Sequence, residues 1–330
     1  MKLPVRILLS LLCAAMVVSS LFVVSSPSIL EDALWEIQDE LDNAAEESGF
    51  VSLFVSSARA EESSEFSLPM DTTAGMKPDA SLFTPDGYED ASIRVQMETR
   101  EEDGVVWRIA WVEIASPTQL RTAYAGKTIK KDTTGLVTVM AKQHNAIVAI
   151  NGDNYTNEKA KHSFIYRMGE KRQDKLNKQK DILIIDENGD FHTFVKSAGA
   201  DKFEKDTGHK IVNAFMFGPA LVQNGEVLTL DKEYNFNPNG REPRCAIGQL
   251  DTLSYVLVIA DGRGNSGSDG ATHKELAEFM ASLGCKEAYN LDGGNSAIMV
   301  YNNEIYNYKA RERDVADVIY FATAVPSEGN

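Results

Sequence analysis

Three short runs in this chain set a carboxylate or amide side chain beside glycine at the end of an apolar, strand-like segment. They are Asn151-Gly152-Asp153, Asp261-Gly262-Arg263 and Asn290-Leu291-Asp292-Gly293-Gly294-Asn295-Ser296. The third is the richest, fed by Glu287-Ala288-Tyr289 and followed by Ala297-Ile298-Met299-Val300-Tyr301. A strand that halts at an aspartate and turns through paired glycines puts a carboxylate at a sheet edge where backbone can approach a ligand closely. Asp-Gly between apolar segments is also a hairpin signal, so the local sequence leaves a site and a hairpin tip open around Asp292. The polar side chains of Asn290, Asn295 and Ser296 are more than a hairpin tip needs. Arg244, Arg263 and Arg313 lie near these runs in sequence. Arginines that can grip an anion through paired hydrogen bonds, interleaved with carboxylates at three strand exits, predict one pocket at one sheet edge.

The elements that must position these residues follow from periodicity. Ser92 to Thr99 and Val105 to Ala115 read as strands, the latter with Val106, Arg108, Ala110 and Val112 on one face. Leu136, Val139, Met140 and Ala141 predict a helix that delivers the strand Ala146 to Ile150 into the first run. Ile182 to Phe194 reads as a hairpin closed by Asn188-Gly189, and Asn224-Gly225 closes another. Cys245 to Gly248 and Tyr255 to Ala260 read as neighbouring strands, turning at Leu250-Asp251-Thr252. Thr272 and Glu275 form a capping box ahead of the apolar stripe Leu276, Phe279, Met280 and Leu283, and Gly284 ends that helix. Strands outnumber helices, which predicts an α+β fold: a mixed, mostly antiparallel sheet with a few packed helices, in one catalytic domain.

A net charge of −16 and a pI near 4.8 argue against nucleic acid as a partner. The basic cluster Lys171-Arg172 with Lys175, Lys178 and Lys180 is interleaved with acidic and amide residues and reads as a solvated loop. Lys2 and Arg6 precede an uncharged, apolar-rich stretch from Ile7 to Ser26, long enough to cross a bilayer, and acidic residues follow it. Residues 1–29 are therefore expected as a membrane anchor or a signal segment, residues 30–87 as an acidic stalk and flexible linker, and residues 88–326 as the domain. The domain is then expected outside the cytoplasm, held by a single transmembrane helix or secreted after signal cleavage. Cys245 and Cys285 could pair in an oxidising compartment or remain as buried thiols. His144, His192 and His273 lack spaced ligand partners and read as structural. No cofactor is expected; an oxygen-only Ca²⁺ or Mg²⁺ site at Asp153, Asp261 and Asp292 is the alternative.

The order and spacing of several pieces resemble the phosphodiester glycosidase domain family over about Tyr88 to Val325. The pieces are Ala149-Ile150-Asn151-Gly152, Gly218-Pro219-Ala220-Leu221-Val222 with Asn224-Gly225, Arg244 to Gly248, Asp261-Gly262-Arg263, Asn290 to Ser296, and Glu312-Arg313-Asp314-Val315. The resemblance implies a hydrolase that cleaves glycosyl phosphodiesters, here of cell-envelope or exopolysaccharide glycans. Such a substrate has a phosphate beside an anomeric carbon, so it asks for cationic donors at the first and a carboxylate at the second. Arg244, Arg263 and Arg313 are the expected phosphate clamp, and Asp292 is the expected nucleophile or general base with Asp261 as second carboxylate. Asn151, Asn290 and Ser296 would bond sugar hydroxyls or orient the carboxylates. Asp153 would join them or tip a turn, while Gly152, Gly262, Gly293 and Gly294 would let the backbone close on the ligand. A non-catalytic glycan-binding module and a metal-dependent phosphodiesterase are the competing readings.

Overall fold

A computed structural model describes residues 66–129, 133–154, 163–232, 234, 236–308 and 312–326. The anchor or signal segment and the acidic stalk lie outside the described residues. Among those described, no helix is long and apolar enough to cross a membrane.

The largest sheet has eight strands in the order Gly87–Glu89, Ile93–Glu102, Val105–Ile114, Ser254–Ala260, Arg244–Asp251, Glu287–Leu291, Ala220–Gln223 and Glu226–Val227. A five-stranded sheet runs Glu304–Ile305, Met299–Tyr301, Val148–Asn151, Asp317–Phe321 and Leu120–Tyr124. The other five-stranded sheet runs Glu170–Asp174, Phe164–Arg167, Ile211–Phe215, Ile182–Asp186 and Phe191–Phe194. The sequence predicts a mixed, mostly antiparallel sheet; the ladders of all three described sheets are antiparallel.

Period-two alternation explains how the layers stack. Tyr255, Leu257 and Ile259 point to a core shared with Val148, Ile150, Ile319 and Phe321 of the second sheet. Val256, Val258 and Ala260 point the other way, onto the helix His273–Ser282 through Leu276 and Met280. Ala149, Val318 and Tyr320 likewise back onto the helix Val137–Gln143. Two sheets thus face each other with a helix on each outer side. The capping box is in place, with Thr272 Oγ1 accepting from Glu275 N at 3.1 Å and Glu275 Oε2 accepting from Thr272 N at 2.8 Å. Such a cap stabilises a helix by about 1 kcal/mol.

Three expectations change. The turn after Cys245 to Gly248 falls at Thr252-Leu253, with Leu253 at φ 55°, because the strand continues to Asp251. The segment from Phe66 to Gly87 is packed on the body: Leu68 is buried, and the buried Arg121 guanidinium donates to the carbonyls of Pro69, Asp71 and Thr73. The flexible linker therefore cannot reach residue 87. Cys245 lies in the core between the sheets and Cys285 in the core under the helix, on opposite faces of the large sheet, and both are free thiols.

Candidate active site

The run after Leu291 is not a hairpin tip. Glu287–Leu291 belongs to the eight-stranded sheet and Met299–Tyr301 to a five-stranded one, so Asp292 to Ile298 crosses between sheets. The first run meets it there: Asn151 Nδ2 donates to the Asp292 carbonyl at 2.6 Å, and Asn151 Oδ1 accepts from Ile298 N at 3.0 Å. Asn151 is fully buried and splices the two loops, so its part is to position Asp292 rather than to touch a ligand. Asp292 N donates to the Gly152 carbonyl at 3.3 Å, closing the junction.

Asp292 lines a cavity of about 280 Å³ together with Phe217, Phe236, Glu242, Arg263, Asn295 and Arg313. Burial pushes its carboxyl up to about 6; the Ser296 hydroxyl and the Arg313 charge oppose that rise, and the nearby Asp153 adds to it. A carboxyl poised near neutrality at a cavity wall is suited to nucleophilic or general-base work. A second cavity of about 650 Å³ shares Arg263, Gly294, Asn295 and Arg313 with the first and adds Asp261, Asn307, Tyr308 and Glu312.

The three arginines separate into distinct roles. Arg313 is exposed, lines both cavities and makes no hydrogen bond among the described residues. Arg263, at φ 58°, is fixed by Glu242 (Nε to Oε2, 2.7 Å) and Asn295 (Nη1 to Oδ1, 2.8 Å), and Nη2 has no hydrogen bond among the described residues. Arg244 differs. Nε donates to Ala271 O, Nη1 to Phe236 O and His273 Nε2, and Nη2 to Asn237 O and Gly240 O, at 2.7–3.1 Å. A guanidinium has five N–H donors, so none remains for a phosphate. Arg244 lines the same cavity as Asp292, but with its donors taken it organises the loop 236–240. Burial lowers its pKa to about 10, and His273, pushed down to about 3 by burial and the Arg244 charge, stays neutral as its acceptor.

Asp261 is also a corrected expectation. It is buried, with Oδ2 paired to Arg108 Nε at 3.0 Å and accepting from Ser266 Oγ at 3.2 Å. Those bonds make it a tether between the strand Val105–Ile114 and the loop after Ala260, on the wall of the adjoining second cavity and not of the Asp292 cavity itself. Asp153 accepts from Met216 N at 2.7 Å and lies 3.7 Å from Arg167, which also pairs with the buried Asp317. The carboxylate atoms of Asp153, Asp261 and Asp292 do not gather within 4.8 Å of one another; among the described residues Asp186, Glu187 and His209 do. Asn290 donates through Nδ2 to Gly218 O at 2.7 Å and holds that turn rather than a sugar.

The glycines act on neighbouring protein more than on a ligand. A Cβ on Gly152 would strike Asp317 Oδ1, and one on Gly293 would lie 2.7 Å from Pro243 O. A Cβ on Gly262 would be 2.8 Å from Gly270 Cα. Gly294, at φ 57°, passes directly beneath Arg263 and donates to Pro243 O at 2.8 Å.

Sequence reasoning missed Phe217, Phe236 and Lys180. Lys180, expected in a solvated loop, is buried with its ammonium 4.6–5.5 Å from the ring centroids of Phe217, Tyr234 and Phe236 and donating to Phe217 O at 3.0 Å. Burial lowers its pKa to about 8. Phe217 stands beside the quoted Gly218-Pro219 piece, which was the one available signal.

Comparison with known proteins follows the same outline. Residues 144–322 match the family profile described as phosphodiester glycosidase. A curated relative, the SPbeta prophage-derived uncharacterized protein YomE of Bacillus subtilis (strain 168), is 32% identical over 109 residues, 32% of this chain and 17% of that protein. The match thus spans less than a fifth of that relative's length. Among solved structures, the zebrafish N-acetylglucosamine-1-phosphodiester alpha-N-acetylglucosaminidase catalytic domain, auto-inhibited by its pro-peptide, superimposes with a TM-score of 0.55 at 18% identity, over 76% of this chain and 87% of that one. A hypothetical protein from Synechocystis gives 0.51 at 16% identity over 69% and 62% of the two chains. At such identities the superpositions establish the fold.

Proposed function

The chain belongs to the phosphodiester glycosidase family, and from that premise we propose that it hydrolyses glycosyl phosphodiesters at the Asp292 cavity. The observation that carries this reading is one carboxyl, raised to about 6, in a cavity whose wall carries Arg263 and Arg313, the latter with no hydrogen bond among the described residues. The arginines bind the phosphate. Asp292 either attacks the anomeric carbon, forming a glycosyl ester that water then hydrolyses at C1, or takes a proton from a water that attacks C1 directly. The C1–O bond breaks, its electron pair stays on the phosphate oxygen, and a phosphate monoester leaves between the guanidiniums. That leaving group is already stable as an anion, so no strong general acid is needed and Asp261 can serve a tethering role.

We further propose that the domain works outside the cytoplasm on cell-envelope or exopolysaccharide glycans, held by residues 1–29. The support is the basic start, the apolar stretch and the acidic stalk that follows.

Turnover of a synthetic methyl hexosyl phosphodiester in ¹⁸O-labelled water tests the bond. Label is expected in the sugar; label in the phosphate would mean P–O cleavage and overturn the mechanism. Asp292→Asn should lower kcat by at least about 10³-fold with an unchanged circular dichroism spectrum. Unchanged turnover would remove Asp292 from the chemistry.

A further inference from the structure

We propose that Phe236 is the platform on which the substrate's sugar ring lies and that Arg244 is the positioning residue that holds it there; the inference rests on the glycosyl phosphodiester reading of the Asp292 cavity. Phe236 is 47% exposed and, with Phe217, supplies the aromatic part of a cavity whose other side chains are charged or amide groups.

Its backbone is not where a phenylalanine rests. Phe236 has φ 69° and the next residue, Asn237, φ 55°. A phenylalanine in the left-handed region is uncommon, and it persists only where the surroundings impose it. The imposing group is Arg244, which donates to the carbonyls of Phe236 at 3.1 Å, Asn237 at 2.7 Å and Gly240 at 2.9 Å. Strain held by a buried guanidinium to keep an aromatic ring in the open calls for a ligand.

Among the described residues one aromatic ring and one cation pack against the ring of Phe236. It stacks on Phe217 with centroids 4.4 Å apart and planes 14° apart. The Lys180 ammonium is 4.6 Å from the Phe236 centroid and 5.5 Å from that of Phe217, distances that put both partners on the same side of Phe236. Among the described residues no other ring or cation packs against it, and nearly half of the residue is exposed. An aromatic face carries partial negative charge. A pyranose offers the complement: a face of C–H bonds, apolar and slightly positive, with hydroxyls around its rim. The same cavity supplies Asp292 for the anomeric carbon and Arg263 with Arg313 for the phosphate, and its volume of about 280 Å³ is at the small end of ligand sites.

Calorimetric titration of the full domain with inorganic phosphate, with the α-1-phosphates of glucose, galactose and mannose, and with uridine monophosphate tests the platform. In Phe236→Ala at least one hexose 1-phosphate should bind tenfold or more weakly while phosphate binding is unchanged, and Phe236→Trp should restore the sugar phosphate. Equal losses for phosphate and sugar phosphate, no loss, failure of tryptophan to restore, or a loss confined to uridine monophosphate would each overturn the platform. If the unsubstituted protein binds neither phosphate nor any hexose 1-phosphate, the hydrolase reading falls and takes the platform with it. Phosphate and sugar binding that ignores Phe236 removes the platform alone.

Discussion

At the residue scale the site turns on one ionisation. In the proposed reaction Asp292 has to be a carboxylate to attack or to accept a proton, and its pKa is raised to about 6 because burial outweighs the Ser296 hydrogen bond and the Arg313 charge. The active form is therefore complete above about pH 7 and is lost as pH falls through 6. We expect kcat/KM to have an acid limb near pH 6 with a tenfold fall per unit below it, a profile measurable with any hydrolysed hexosyl phosphodiester. A limb at the ordinary carboxylate value, near pH 4, would mean that Asp292 is not the group being read. The residue types at the site were legible in the sequence, but the division of labour among the arginines was not. Arg244, Arg263 and Arg313 are alike on paper. What separates them is which carbonyls and carboxylates reach each one, and those of Arg244 come from the loop 236–240 and from Ala271, which only the fold brings together.

At the element scale, locally encoded features could be read and features decided by distant pairing could not. Asn224-Gly225 closes its hairpin with φ of 52° and 80°, as a two-residue turn between adjacent strands requires, and the Thr272–Glu275 box caps its helix; both are settled within a few residues. The run at Asp292 was ambiguous because the same Asp-Gly pair suits a tip and a crossover, and the outcome depends on Met299–Tyr301 pairing with Val148–Asn151 rather than with Glu287–Leu291. The loop 236–240 is the element whose shape most needs a distant residue. Arg244→Met keeps chain length and apolar packing but takes a donor from four carbonyls and from His273 Nε2, leaving the Phe236 and Gly240 carbonyls with no other donor among the described residues, so a loss of about 3–5 kcal/mol in urea unfolding is expected, with faster proteolysis of that loop. Arg244→Lys should not rescue it, since an ammonium has three donors and no planar fork. Full stability in Arg244→Lys with only a raised KM would return Arg244 to the phosphate clamp.

At the scale of the whole molecule, the two facing sheets explain why the site lies where it does: strands of both sheets deliver their polar ends, Asn151 from one and Asp292 from the other, to a single seam. The boundary of that body is the point at which composition misled. Ser, Glu, Pro and Thr between residues 56 and 87 read as linker, yet from Phe66 onward the chain is anchored, because Arg121 is fully buried and three of its five donors are met by Pro69, Asp71 and Thr73. The remaining two go to Tyr320 Oη and Thr118 O, inside the body. A protein begun at Tyr88 would leave that guanidinium half-satisfied and uncover the apolar surface under Leu68 and Phe66, which pack against Val137, Ala141 and Tyr320. A protein begun at Glu62 keeps every one of these contacts. We therefore expect the longer form to unfold cooperatively and the shorter to lose about 3–5 kcal/mol, seen as a thermal midpoint lower by roughly 10 °C or as insolubility, the scale set by breaking a buried charged pairing. Equal midpoints for the two would restore residues 66–87 to the linker and leave Arg121 satisfied by water.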